Sequence, residues 1–121
     1  MDYPLSGLKV LDFSRVLAGP FAGRMLSDLG ADVVKVEPPE GDVTRFWGKS
    51  IADLPGYYHQ QNAGKRNICA DLREPTAIAV IEALVKEADI VIENPATNEA
   101  LLMGVERALA GPSDELRAAG K

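Results

Sequence analysis

The sequence predicts an α/β fold built on an open parallel sheet of about four strands. Two short apolar runs, at residues 8–13 and 33–36, flank one amphipathic segment near the start of the chain. A strand, a helix and a strand in so short a stretch indicate a right-handed parallel crossover. A second unit of the same kind follows at residues 67–92. Alternation of this kind predicts helices packed on a parallel sheet.

The first run suits a strand that is buried on both faces of the sheet. Pro20 suits the first turn of the helix, where its fixed φ fits and its missing N–H costs nothing. The apolar side chains that recur at helical spacing are predicted to form the buried face: Phe21, Met25, Leu26 and Leu29. Gly30 follows directly, in the usual position of a left-handed cap. Because ligands bind beyond the carboxyl ends of parallel strands, residues 14–20 are the predicted binding edge.

The stretch after the second strand is less regular. Two prolines predict a loop at residues 38–42, whereas residues 43–48 show no clear pattern. Phe46 and Trp47 lie in that stretch and are predicted core or interface residues. Residues 57–62 suit one helical turn or more.

The second α/β unit begins with a strand predicted at residues 67–72, where apolar and polar side chains alternate. Pro75 then opens the clearest helix of the chain, and helical spacing predicts its buried stripe: Ile78, Ile81, Leu84 and Val85. Residues 90–92 are the predicted fourth strand. The last predicted elements are two weakly patterned helices, at residues 98–109 and 114–119.

Composition argues against several classes of function. The net charge is −5 and the pI is acidic, which disfavours nonspecific nucleic-acid binding. Cys69 is the only cysteine, so no internal disulfide is expected and a cytoplasmic location is favoured. We predict that this thiol is a small buried side chain. The sequence shows no signal peptide and no apolar run near the ~20 residues of a membrane helix. It also shows no Cys/His cluster suited to zinc, so no metal is predicted.

A few polar residues are candidates for chemistry. Lys65 and Arg66 are adjacent cations that follow Asn62 and Gly64. Such a group suits a phosphate or another anion, although a solvated turn explains the same spacing. Asp12 closes the first strand, where a lone aspartate is an acid, a metal ligand or a turn former.

Three runs of residues, in order along the chain, resemble one family: PLSGLKVLDFSRVLAGPFAGRMLSDLGADVVKVEPPEGDVTRFWG, NAGKRNICADLREP and ADIVIEN. They are similar to blocks of the family III CoA-transferases, which include formyl-CoA transferase, the carnitine CoA-transferases and the α-methylacyl-CoA racemases. The resemblance implies that residues 1–94 are the N-terminal, CoA-binding segment of a Rossmann-like domain that is incomplete alone. In residues 95–121 the family pattern is lost, and this part is predicted to be a divergent helical tail.

The resemblance also implies a site for coenzyme A, which acts as substrate or carrier without a metal. Val16, Leu17 and Ala18 would line its pantetheine and thioester end. The nucleotide end would lie near a second group of residues: Arg66, Ala70, Asp71, Leu72, Arg73, Asn94, Pro95 and Ala96. Lys65 and Arg66 become candidate phosphate contacts. Leu17 stands where formyl-CoA transferase has a glutamine, so a polar contact to the acyl group is missing.

By resemblance, the activity is the transfer of CoA between carboxylic acids through an aspartyl mixed anhydride. The family's aspartate nucleophile belongs to a block that this sequence does not contain, so the chain alone is expected to be inactive. The implied partners are an acyl-CoA, a small carboxylic acid, and either a second copy of the chain or a complementary C-terminal polypeptide. Three alternatives stay open: part of an acyl-CoA racemase, a stand-alone CoA or adenine-nucleotide binding module, and an unrelated flavodoxin-like or receiver-like domain.

Overall fold

The computed structural model describes residues 2–93 of the 121-residue chain. Its strands are β1 (Lys9–Asp12), β2 (Asp32–Glu37), β3 (Ser50–Ile51), β4 (Leu54–Pro55), β5 (Arg66–Cys69) and β6 (Ile90–Ile92). Its α-helices are α1 (Ala18–Asp28), α2 (Gly56–Asn62) and α3 (Pro75–Glu87), with one 3-10 helix at Val43–Phe46. None of these helices is long and apolar enough to cross a membrane. Asn94, Pro95, Ala96 and the predicted tail lie outside the described residues, so the division at residue 94 stays a prediction.

Four strands form one parallel sheet in the order β5-β2-β1-β6. Val10 of β1 lies between Val33 of β2 and Ile90 of β6, and Val36 of β2 pairs with Ile68 of β5. The short strands β3 and β4 form a separate antiparallel hairpin. The predicted α/β fold with a parallel sheet of four strands is therefore confirmed. The strand order reverses between β1 and β6, which is the position where open sheets of this kind bind ligands.

Helices cover both faces of the sheet. On one face, Ile81 and Val85 of α3 pack against Leu11, Phe13 and Val36, as the predicted stripe of α3 requires. The second core lies on the opposite face, under α1, and consists of Val10, Ala31 and Val33 with the partly buried Leu5, Leu8, Leu26, Ile90 and Ile92. Alternate side chains of one strand thus serve two separate cores. This explains why the strands read as continuous apolar runs.

The predicted buried face of α1 is wrong for three of its four residues. About half of each of these side chains is exposed: Phe21, Met25 and Leu29. Only Leu26 packs against the core. The helix buries Pro20 and Gly23 instead. Small residues are needed on that face because charged side chains, described in the next section, fill the space between α1 and the carboxyl half of the sheet.

The turn after α1 follows the prediction. Gly30 has a φ of +103°, in the left-handed region that glycine adopts without strain. A Cβ at this position would lie 2.4 Å from the Cβ of Tyr3. Glycine is therefore required here by the backbone conformation and by the space available.

Two predictions in the middle of the chain are corrected. Cys69 is exposed rather than buried, because it is the last residue of β5, which lies at the edge of the sheet. That strand begins one residue before the predicted start and ends at Cys69. Phe46 and Trp47 are also exposed, so they are not core residues. Phe46 ends the 3-10 helix and is 76% exposed, whereas Trp47 follows it and packs its ring against Tyr57 of α2, with 5.9 Å between the ring centroids.

Candidate functional site

The candidate site is the turn from the end of β1 to the start of α1 (residues 13–18), called here the β1–α1 corner. Phe13 and Ser14 are buried, whereas Leu17 and Ala18 are exposed. Val16 has a φ of +75°, and such strain costs a non-glycine residue about 1–3 kcal/mol. Strain of this kind persists only where surrounding contacts fix the backbone, and it clusters at ligand-binding sites. The corner is open to solvent and lies at the predicted binding edge.

A buried ion pair lies directly behind the corner. Lys65 Nζ donates to Asp12 Oδ2 at 2.7 Å, and these side chains are 2% and 0% exposed. The other oxygen, Asp12 Oδ1, accepts from the backbone N–H of Ser14 at 2.8 Å and from its hydroxyl. Lys65 Nζ also donates to Pro20 O at 2.9 Å and to Asn62 Oδ1 at 2.8 Å. Burial lowers the pKa of Lys65, while the Asp12 carboxylate opposes that shift.

A second buried pair holds the other side of the corner. Lys35 lies inside β2 and is 1% exposed, and its Nζ donates to Ser14 O at 2.8 Å and to Asp42 Oδ2 at 3.0 Å. Asp42 Oδ1 accepts from the backbone N–H and the hydroxyl of Thr44. Burial acts to raise the pKa of Asp42, but the Thr44 bonds and the Lys35 ammonium hold it below its ordinary value. This pair therefore ties the corner to the loop that follows β2.

A third pair lies further along the same edge; its side chains do not hold the corner directly, although Glu37 Oε1 accepts from the backbone N–H of Asp42 at 3.2 Å. Arg45 donates to Glu37, with Nη2 to Oε2 at 2.7 Å, and to the Tyr58 hydroxyl at 2.8 Å. Asn67 Nδ2 donates to the same two groups. Burial acts to raise the pKa of Glu37, but the bonds from Arg45 and Asn67 hold it below its ordinary value. Burial and the neighbouring Glu37 raise the pKa of Tyr58 to about 12.

Two glycines allow α1 to lie close to these charges. A Cβ on Gly23 would lie 2.6 Å from Asp12 Oδ2 and 3.1 Å from Lys65 Nζ. A Cβ on Gly64 would lie 2.5 Å from Ser27 Oγ of α1, and its φ of +81° is in the left-handed region. The position of α1 over the first ion pair therefore depends on glycine, which has no Cβ, at position 23 in the helix and at position 64 in the loop before β5.

The residues predicted as an anion site do lie together. Asn62, Gly64, Lys65 and Arg66 line one cleft of about 450 Å³. Lys65 turns inwards, however, and the exposed Arg66 pairs with Asp32, with Nη2 to Oδ2 at 2.6 Å. Arg66 begins β5, so it lies at the amino end of the sheet. Both cations are already paired within the protein, and their roles as phosphate contacts stay predictions.

The second group of predicted contacts lies at the carboxyl end of the sheet. Residues 70–73 follow β5, and Arg73 is exposed there with its Nε 2.8 Å from Asp71 Oδ1. The corner follows β1, two strands away, which corresponds to about 10 Å at ~4.8 Å per strand. Residues 16–18 and 70–73 therefore share one edge, as the resemblance implies. Their contacts with coenzyme A stay predictions.

The interior of the site does not follow from the sequence. Lys35 lies in a predicted strand and Asp42 in a predicted loop, their spacing does not pair them, and Asp12 has three possible roles. A signal was present, because Lys35 interrupts an otherwise apolar run that predicts a buried strand. A lysine is almost never fully buried without a partner. That partner, however, is not identifiable from spacing.

The doubly wound parallel sheet, with an open corner after its first strand, defines a Rossmann-like α/β fold. Residues 5–110 match the sequence model described as CoA-transferase family III. The chain therefore belongs to CoA-transferase family III, as the three runs of residues predict.

Individual relatives agree with this assignment. Over 99 residues the chain is 52% identical to a succinate–glutarate CoA-transferase from Agrobacterium fabrum. The aligned region covers 75% of this chain and 25% of the relative. Over 96 residues it is 44% identical to a formyl-CoA:oxalate CoA-transferase from Escherichia coli, which covers 78% and 23%. A solved CAIB/BAIF family protein from Brucella suis superposes with a TM-score of 0.74 at 43% identity, covering 86% and 31%. The chain thus spans about a quarter of the length of the curated relatives it matches.

Proposed function

We propose that this chain is the CoA-binding, N-terminal portion of a transferase that moves CoA between carboxylic acids. The family match over residues 5–110 carries the proposal, and the geometry supports it. The β1–α1 corner is open to solvent, and residues 70–73 lie along the same edge of the sheet. An extended thioester carrier fits along this edge, with its acyl end at the corner and its nucleotide end towards residues 70–73.

The contacts we propose follow from this placement. Val16, Leu17 and Ala18 line the pantetheine and thioester end, where the first N–H groups of α1 have no partner within the helix. Such groups favour partial negative charge, as on a thioester oxygen. Near the nucleotide end we propose Arg73 as the phosphate contact, because it is exposed at the carboxyl edge. Arg66 is less suited, since it lies at the opposite end of the same strand.

The chemistry we propose is exchange through an aspartyl mixed anhydride. An aspartate carboxylate attacks the thioester carbonyl, the carbon–sulfur bond breaks, and CoA leaves as a thiolate. The acceptor carboxylate displaces the first acid from the anhydride. The thiolate then attacks the new acyl carbonyl, which forms the product thioester and restores the aspartate. We place that aspartate outside this chain, because Asp12 and Asp42 are buried and each is held by several donors.

We propose dicarboxylic acids as the substrate class. The relatives named above act, by their names, on succinate and glutarate or on oxalate. Succinate and glutarate are favoured, because Leu17 offers an exposed apolar side chain at the corner and no polar contact for a formyl group.

A protein partner is part of the proposal: a second copy of the chain or a complementary C-terminal polypeptide. The support is the exposed apolar side of α1 formed by Phe21, Met25 and Leu29. Apolar patches of this kind mark interaction sites. Light scattering after size exclusion should show association that is lost when Phe21 and Met25 are both changed to serine. A wild-type chain that remains monomeric when mixed with the complementary polypeptide would contradict this part.

Calorimetric titration with CoA tests the binding proposal. We expect saturable binding below about 1 mM CoA by the wild-type chain. Ala18→Trp should weaken it at least about tenfold, because Ala18 is exposed at the corner and tryptophan would occupy the pantetheine path. Ala79→Trp is the matched control, since Ala79 is an exposed residue of α3 on the other face of the sheet.

The outcomes separate binding from catalysis. Absence of CoA binding by the wild type, or equal binding by the two tryptophan variants, would refute the site. Incubation of the chain with succinyl-CoA and glutarate should give no glutaryl-CoA by chromatography. Turnover by the chain alone would refute a nucleophile outside it, while leaving the CoA site intact.

A further inference from the structure

We propose that Lys35 and Lys65 are positioning residues that set the shape of the β1–α1 corner for coenzyme A. This inference rests on the proposed function, because it assigns a role to residues behind the CoA site. We place neither lysine in contact with the ligand. Lys65 takes this positioning role instead of the phosphate contact that the resemblance implies, because its Nζ already donates to three acceptors. Each ammonium group is neutralised by its own buried carboxylate. Lys35 holds the Ser14 carbonyl at the start of the corner, and Lys65 holds the Pro20 carbonyl just beyond its end.

Lys35 fixes the entrance of the corner. Its Nζ lies 2.8 Å from the carbonyl oxygen of Ser14, the last buried residue before the strained Val16. The ammonium comes from the neighbouring strand, where Asp42 holds it at 3.0 Å. Because the lysine is 1% exposed, water does not compete for this hydrogen bond, and a bond from a charged donor is stronger than a neutral one.

Lys65 fixes the exit of the corner. Its Nζ lies 2.9 Å from Pro20 O, in the first turn of α1, and 2.7 Å from Asp12 Oδ2. Asp12 also accepts the backbone N–H of Ser14, so this pair contacts both ends of the turn. Residues 15–19 thus run between two points that buried charges hold in place.

The strain at Val16 is the observation that connects these contacts with function. A valine at φ +75° relaxes unless both flanks are held. The two lysines hold those flanks, and the exposed Leu17 and Ala18 are presented beyond them. A corner that is already fixed loses less conformational entropy when a ligand binds to it. The lysines should therefore affect CoA affinity beyond their effect on stability.

Paired neutral substitutions test this inference. Lys35→Met with Asp42→Asn removes a cation and an anion together, so no unpaired charge stays buried, and the asparagine can still accept from Thr44. Asp12→Asn with Lys65→Met does the same for the other pair. Glu37→Gln with Arg45→Met is the matched control, because it removes a partly buried pair that does not hold the corner directly, and the glutamine can still accept from the backbone N–H of Asp42. All three double variants keep the net charge of −5.

Two readouts are needed. Urea unfolding measures stability, and titration with CoA measures affinity. We expect each corner variant to raise the CoA dissociation constant by about tenfold or more, as for the loss of a hydrogen bond from a charged donor. The CoA dissociation constant of the control should stay within about twofold of the wild-type value, although its unfolding midpoint changes about as much as those of the corner variants. Equal losses of affinity in the control and the corner variants would overturn the inference.

A third readout does not depend on CoA. Backbone chemical shifts and amide exchange of residues 14–18 should change in both corner variants and stay as in the wild type in the control. If the wild type binds no CoA, the proposed function fails, and unchanged shifts at the corner would separately refute the positioning role. If one double variant does not fold, the other still tests the inference through the lysine–carbonyl contact at the opposite end of the corner.

Discussion

Gly23→Ala is the sharpest test of how α1 packs on the sheet. Glycine to alanine inside a helix normally raises the free energy of unfolding by about 1 kcal/mol. Here we expect the opposite sign. The new Cβ would lie 2.6 Å from the buried Asp12 Oδ2, about 0.8 Å inside the 3.4 Å where ordinary contact begins, and 3.1 Å from Lys65 Cε and Nζ.

The magnitude follows from two opposing terms. Overpacking a filled interior costs about 1–3 kcal/mol, and the gain in helix propensity returns about 1 kcal/mol. The difference is about 0–2 kcal/mol, and we expect the upper part of that range, about 1–2 kcal/mol. Asp12 has little room to move, because Ser14 holds one of its oxygens and Lys65 the other. The clash would push α1 outwards and disturb the corner, so CoA affinity should fall as well.

Urea unfolding followed by circular dichroism measures the effect. With a slope of about 2 kcal/mol per molar urea, the midpoint should fall by roughly 0.5–1 M. Gly56→Ala is the control, because its Cβ would lie 3.7 Å from Lys49 O, an ordinary contact, in the first turn of α2. The control should be neutral or slightly more stable. A Gly23→Ala chain as stable as the wild type would show that α1 does not press on the ion pair.

Other substitutions follow from the same contacts. Gly64→Ala should destabilise the chain by about 1–3 kcal/mol, because its φ is +81° and its Cβ would meet Ser27 Oγ. Val16→Gly should leave the free energy of unfolding unchanged or raise it by about 1 kcal/mol, since the strain at φ +75° is relieved, yet weaken CoA binding. The wild type should lose stability as the pH falls below about 4.5, because the pKa values of Glu37 and Asp42 are lower in the folded state and the unfolded chain takes up protons first. Asp42→Asn should make the free energy of unfolding depend less steeply on pH in this acid range. Between pH 10 and about 12 the wild type should lose stability with rising pH, because the tyrosine ionises at lower pH in the unfolded chain than Tyr58 does in the folded protein. Tyr58→Phe should remove this loss of stability.

Each of these has a contrary outcome. Urea midpoints for Gly64→Ala equal to those of the wild type would refute the close approach to α1. Stronger CoA binding by Val16→Gly would show that strain at the corner opposes the ligand. Parallel acid unfolding curves for Asp42→Asn and the wild type would contradict the depressed pKa of Asp42. Identical alkaline curves for Tyr58→Phe and the wild type would contradict the raised pKa of Tyr58.

The order and type of the main elements follow from local pattern. Apolar runs with β-branched residues lie at β1, β2 and β6, and Pro75 begins α3 as predicted. The cap at Gly30 is also readable, because a left-handed residue after a helix strongly favours glycine. Residues 43–48 show no local pattern, so the sequence predicts no element there, and the structure has a short 3-10 helix at Val43–Phe46.

The prediction for α1 failed for a physical reason. Helical spacing identifies an apolar side, but it does not say what that side meets. Phe21 and Met25 form the apolar side, yet the sheet presents Asp12 and the ammonium of Lys65 at that point, so the helix turns Gly23 inwards. The predicted burial of Cys69 failed for a similar reason. Its exposure depends on β5 being an edge strand, and strand order is not visible in local sequence.

Local periodicity, turn residues and three recognisable runs were enough to determine the fold class and the family, and they predict the edge where a ligand would bind. These features depend on neighbours within a few residues. The pairing of Lys65 with Asp12, which lie 53 positions apart, and of Lys35 with Ser14 exists only once the crossovers bring the strand ends together. Buried charges choose their partners by position in space, and that position is a product of the whole sheet.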